Sequence, residues 1–333
     1  MLTRPPARKS LALALSGTLA AAAGLTACAA PADGDSAAAA GGDDGITVLA
    51  SFYPLQFVAQ QVGGDLVTVE NLTPPAAEPH DLELSPTQVR AIGEADVVVY
   101  LSGFQAAVDE GVEARQPAHV VDAAGVVELE EHPGTVEDHA QEEQHEGEEA
   151  EEGHDDHGGL DPHFWLDPSR LSVVGQAVAD ALTEADPEHA DEYAAGAASL
   201  GQKLEALDQE FADGLAACEG ATLVTSHTAF GYLAERYSLQ QVGISELDPE
   251  AEPSPARLRE IGDVVREHGV TTLYSETLVS PKVTETLAGD LGVRTATLDP
   301  LEGIDTEAAA AGEDYVSVMQ GNLAALEEGL VCS

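Results

Sequence analysis

Three histidines and one glutamate, drawn from both halves of this 333-residue chain, sit where a metal site would need them. His80 lies in E-P-H-D, His163 in D-P-H-F-W-L-D-P, His227 in T-S-H-T-A-F and Glu302 in L-D-P-L-E-G. A lone loop histidine is more often only hydrogen-bonded, but these four together make a set of three imidazoles and one carboxylate. Imidazole with one carboxylate at four-coordination suits Zn2+; manganese prefers more oxygen ligands. The fourth ligand stays open between Glu302, Asp299 and water. Carboxylates usually hold the outer ring nitrogens of metal-bound histidines, and Glu78, Asp161 and Asp167 are the candidates here. His119, His189 and His268 lack such settings and read as ordinary surface or packing residues.

A second set of histidines has a different character. His132, His139, His145, His154 and His157 are scattered among fourteen Asp and Glu residues over positions 128–158, and no Lys or Arg occurs between Arg115 and Arg170. Like charges with few apolar residues cannot bury a core, so about 128–158 is expected to be a disordered, solvated loop. Its composition suits auxiliary, weak metal capture. It feeds directly into residues 159–168, which contain the only Trp of the chain.

The elements that must position these residues follow from apolar runs and punctuation. Residues 46–51, 65–71, 95–101 and 119–121 read as strands, and 221–226, 239–244, 270–276 and 293–298 repeat that style. Helical patterns lie between most of them, which argues for parallel βα units. In such sheets ligands bind beyond the carboxyl ends of strands, where His80, His227 and Glu302 fall. Residues 169–185 and 188–217 read as helices, the second roughly 45 Å long at 1.5 Å per residue. The expected fold is α/β: two βα lobes with parallel sheets, joined by one long rigid helix, with a metal site in the cleft between them. Residues 46–168 form the first lobe, 169–217 the helical connection and 218–333 the second lobe.

The N-terminus reads as export machinery rather than fold. Arg4, Arg8 and Lys9 precede an apolar run over 11–25, too short for a comfortable membrane span. The run ends in Leu25-Thr26-Ala27-Cys28, which resembles the bacterial lipobox, so residues 1–27 are expected to be a signal peptide. Cys28 is then the lipidation site, with 28–45 a flexible tether. Formal net charge is -48. A surface that acidic repels phosphate backbones and excludes nucleic-acid binding. Cys218 and Cys332 remain, an even pair in an exported chain, and a disulfide is expected between them.

The segments E-P-H-D-L-E-L-S-P, D-P-H-F-W-L-D-P, T-S-H-T-A-F-G-Y-L-A-E-R-Y and L-D-P-L-E-G together resemble the four ligand segments of the cluster A-I metal-binding proteins of ABC importers. The likeness is closest to the zinc members and covers essentially residues 46–330. It implies a lipoprotein, anchored outside the cytoplasm, that hands Zn2+ to a membrane permease driven by an ATPase. Manganese members tend to carry an acid where His227 stands, which favours zinc. Many zinc members have an acid immediately before the first histidine, whereas Pro79 stands there in this chain. That departure moves the fourth-ligand expectation to Glu302. A monomer is expected. The rival readings are a manganese-binding importer component, a zinc-binding surface or adhesion protein, and a metallohydrolase. The last is disfavoured because the chain has no H-E-x-x-H, G-x-S-x-G or phosphate loop.

Overall fold

Eight short strands form two separate four-stranded sheets. The first contains β1 (Ile46–Ala50), β2 (Val67–Asn71), β3 (Val97–Tyr100) and β4 (His119–Asp122), in the order β2-β1-β3-β4. The second contains β5 (Thr222–Thr225), β6 (Gln240–Gly243), β7 (Thr272–Ser275) and β8 (Arg294–Thr297), in the order β6-β5-β7-β8. Every pairing is parallel, so both halves use one topology twice. In each sheet the order reverses beside the first strand, the place where parallel sheets open a crevice. The computed structural model describes residues 45–132 and 160–332. The expected signal segment, Cys28 and the tether up to Asp44 lie outside the described residues, as do His139, His145, His154 and His157.

Helices cover the sheets. The first half carries α1 (Tyr53–Gly63), α2 (Pro86–Glu94) and α3 (Ala106–Arg115). Then come α4 (Pro168–Ala185) and α5 (Ala190–Gly214), and the second half adds α6 (Gly231–Arg236), α7 (Pro255–Glu267), α8 (Lys282–Leu291), α9 (Thr306–Ala311) and α10 (Tyr315–Gly329). The start of α2 follows its sequence closely. Pro86 occupies the first turn, Ser85 Oγ accepts from Gln88 N–H, and the Gln88 side chain accepts from Ser85 N–H. That reciprocal pair satisfies donors a helix start would otherwise leave orphaned.

The long helix differs from a free strut. It begins after a 3-10 turn at Pro187–His189 and spans 25 residues, roughly 37 Å at the usual rise. It packs along α4 and α1 and reaches α10 of the second half, while α4 itself lies on β3 and β4. A Cβ on Gly196 would stand 2.2 Å from the Val62 carbonyl oxygen, so only glycine lets α5 lie this close to the α1 backbone. One continuous core results: Phe52, Phe104 and Trp165 from the first half share it with Phe211, Phe230 and Tyr315. Two hydrogen bonds stitch the halves at Trp165. Its indole N–H donates to Pro300 O at 2.7 Å, and Tyr315 Oη donates to Trp165 O at 2.6 Å.

Cys218 and Cys332 form a disulfide across 114 positions, tying the approach to β5 to the end of α10. On the chain-entropy account a loop of that length contributes up to about 4–5 kcal/mol. Replacing Cys332 with Ser is expected to lower the denaturant midpoint without changing zinc affinity. Free-thiol titration of the parent chain is expected to find neither of the two free.

Candidate metal centre

The second sheet brings two of the site residues together by register. Thr225 on β5 pairs with Tyr274 on β7, so the residues two places further on, His227 and Glu276, emerge side by side. His227 Nδ1 lies 2.6 Å from Glu276 Oε1, and Ser226 Oγ donates to the same oxygen. Both side chains are buried. Glu276 is absent from the sequence candidates, because it reads there as the last residue of a strand. An acid at a strand's carboxyl end, beside the switch in strand order, is the clue the sequence offers.

Asp161 does for His163 what Glu276 does for His227. Its Oδ1 accepts the His163 backbone N–H at 2.9 Å and contacts ring Nδ1 at 2.7 Å. The other two expected partners do different work. Asp167 caps α4, accepting from Ser169 N–H at 2.8 Å. Glu78 accepts the backbone N–H of His80 at 2.9 Å and lies 4.0 Å from its Nε2. Burial, and then the charge of Glu302, pushes Glu78 up to about 8.

Glu302 arrives on a tight turn after β8. Leu301 has φ 58°, a left-handed conformation that costs a side-chain-bearing residue on the order of 1 kcal/mol. Its side chain is fully buried, and Asp299 Oδ1 accepts Leu301 N–H at 2.8 Å while Thr277 Oγ1 donates to Oδ2 at 2.9 Å. Asp299 therefore shapes the turn, and Glu302 is the acid that reaches the histidines.

The four side chains meet at one point. Glu302 Oε1 is 3.0 Å from His163 Nε2, 3.2 Å from His80 Nε2 and 3.4 Å from His227 Nε2. The two buried Nε2 atoms are 3.4 Å apart. A tetrahedron built on metal–ligand distances of ~2.0–2.1 Å has edges of about 3.3 Å, which these separations match. All four ligand atoms lie within 4.8 Å of one another. Glu302 Oε2 is buried with no hydrogen-bond partner among the described residues. His163, His227 and Glu302 are fully buried, whereas the His80 side chain keeps 17% exposure, its ring edge-on to Phe104 at 4.7 Å.

Charge follows from this geometry. Burial alone would raise Glu302, but hydrogen bonds from His163, His227 and His80 hold it well below the usual carboxylate range. Burial would lower His163, yet Asp161 and then Glu302 keep it raised; Glu276 and Glu302 do the same for His227. For His80 burial wins and the imidazole is lowered.

His132 packs against the folded chain. Its ring packs edge-on to Tyr232 at 4.4 Å, with Nδ1 2.8 Å from Asp161 Oδ2 and Nε2 3.4 Å from Glu235 Oε2. Composition alone groups it with the capture histidines. Its contacts are to residues far along the chain, which composition cannot reveal.

The family described as "Zinc-uptake complex component A periplasmic" matches residues 48–329. The chain is 36% identical over 293 residues to the zinc-binding lipoprotein AdcA of Streptococcus pneumoniae TIGR4, covering 86% of this chain and 56% of that protein. It therefore spans little more than half of AdcA. It is 33% identical over 291 residues to the high-affinity zinc uptake system protein ZnuA of Bacillus subtilis 168, covering 86% and 88%. Among solved structures, the Zn(II)-bound ZnuA-like domain of pneumococcal AdcA superposes with a TM-score of 0.70 at 33% identity, over 86% of this chain and 98% of that one. The laminin-binding protein Lmb of Streptococcus agalactiae, described as bifunctional with adhesin and metal-transporting activity, gives 0.72 at 31% identity, over 86% and 99%. Sequence and fold agree, and the chain belongs to the ZnuA family of zinc-uptake binding components.

Proposed function

We propose that this chain captures Zn2+ outside the cytoplasm and delivers it to the membrane permease of an ABC importer. Zinc is the cargo, held by His80, His163, His227 and Glu302. The observation that carries this reading is the convergence of three imidazoles on Glu302 Oε1 at 3.0–3.4 Å, with His163 and His227 3.4 Å apart, four edges of the size one small tetrahedral ion needs. Four protein ligands leave no open position for a reacting water, which catalytic zinc requires. The site therefore binds and releases rather than turns over. Lipidation at Cys28 would hold a monomer near its permease, and His139, His145, His154 and His157 would supply weak capture. Among the described residues no helix is long and apolar enough to cross a membrane.

Adhesion is the second reading, favoured by the likeness to Lmb. Titration calorimetry with Zn2+ and Mn2+ tests the first, and laminin binding by the zinc-loaded chain tests the second. One tight zinc site, with manganese much weaker, is the expected result.

The ligand set predicts an order of losses. His227→Ala is expected to cost the most zinc affinity, Glu302→Ala less, and Asp299→Ala least, since Asp299 acts only through the turn. Glu276→Gln is expected to cost about 10–100-fold, the usual effect of removing a carboxylate behind a metal-bound histidine. Competition with a chromophoric chelator measures all four.

The pH dependence has opposite signs for metal and fold. Zinc must displace protons from His163 and His227, whose values are raised, so affinity is expected to fall as pH drops through those values, starting above the ordinary 6.5. For the metal-free fold, the same raised histidines contribute stability that is complete below about 6.5 and is lost as pH rises through their folded values. Calorimetric affinity and metal-free melting temperature, measured from pH 5 to pH 8 (about the range over which histidine titrates), are expected to move in opposite directions over the histidine range.

A further inference from the structure

The foot of the acidic loop is built into the metal centre. Asp161 is fully buried and its carboxylate serves two imidazoles at once. Oδ1 takes His163, and Oδ2 takes Nδ1 of His132 at 2.8 Å. The surroundings are shaped for this arrangement. A Cβ on Gly231 would stand 2.3 Å from His132 Cγ and 2.6 Å from Asp161 Oδ2, so a bare backbone there makes room for both. Tyr232 closes the other side: its hydroxyl accepts from Glu130 N–H at 2.8 Å and donates to Asp161 O at 2.7 Å.

We propose that His132 is a positioning residue of the metal centre, acting through Asp161 to fix the orientation of His163. Without it Asp161 Oδ2 is a buried acceptor with no donor, and only the Oδ1 contacts to the His163 backbone and ring hold the carboxylate in place. Buried acceptors left in that state carry a desolvation penalty and recruit water or a new rotamer. His132 is thus separated in role from the other loop histidines. Glu130, His132 and Glu235 also approach one another closely enough for a cation. Arg170 already occupies that ground, paired with Glu130 and 3.7 Å from Glu235, so its guanidinium meets the charge a cation would need.

The inference rests on His163 being a zinc ligand, and the experiment keeps the two apart. In the full-length chain, zinc dissociation into excess chelator is measured for His132→Ala, His132→Asn and His163→Ala. A fourth variant carries alanine at positions 139, 145, 154 and 157 together. The visible spectrum of the Co2+ form reports ligand geometry in each. His132→Ala is expected to release zinc about 10-fold faster, the lower end for residues behind a ligand, and to alter the Co2+ band. Asparagine places an amide nitrogen where Nδ1 stood and is expected to restore both readouts. The quadruple variant is expected to dissociate at the parent rate. If His132→Ala leaves rate and spectrum unchanged while His163→Ala destroys tight binding, this inference falls and the ligand assignment stands. If His163→Ala is itself harmless, the ligand assignment falls as well. Should alanine at 132 fail to fold, asparagine decides alone: a parent-like rate and spectrum support the hydrogen-bond role, and a faster rate overturns it.

Discussion

A negative charge with no exposure to water has to be met by something, and the molecule is arranged around that requirement at Glu302. A lone buried carboxylate is strongly unfavourable. Its partners are three imidazoles from three different loops, two of them contributed by the first half of the chain and one by the second. No single lobe could supply them. The halves must meet, and the shared aromatic core with the Trp165 bonds to Pro300 and Tyr315 holds them together at that point. The raised imidazoles of His163 and His227 offset the carboxylate charge at this point.

The three imidazoles are not equally fixed. His163 and His227 each have a buried carboxylate behind the ring, from Asp161 and Glu276. His80 has only the Phe104 edge and a bond from its backbone to Glu78, and it alone reaches solvent. Two rings each have a carboxylate behind them, and the third does not.

The strands, both sheets and the four converging residues are legible in the chain because apolar runs and strand-end positions are local patterns. Glu276 is hidden, since its meaning comes from the pairing of β5 with β7 and not from its neighbours. Helix α6 is short, at Gly231–Arg236, because Thr228 N–H bonds Glu246 O and Phe230 N–H bonds the Gln241 side chain. Those donors are committed to a neighbouring segment before a helix can claim them. The short helices α3 and α9 escape a reading of the sequence: the apolar pattern of α3 is weak, and α9 is a run of alanines between Asp305 and Gly312 with no buried residue. His132 misleads for the opposite reason. Its acidic neighbourhood is loud, and the contacts that decide its role are silent in composition.

The acidic excursion also has a consequence for how the chain can change. Asp161 N–H donates to Glu130 O at 2.8 Å, and His132 binds the same aspartate, so the chain departs and returns at essentially one place. Once the two ends are clamped, added length is felt only as closure entropy, about 0.6 kcal/mol for each doubling. The intervening sequence can therefore grow, shrink or turn over its residues with little effect on the fold beneath it. Over generations that stretch is free to vary, and in the laboratory the same junction can accept a folded insert.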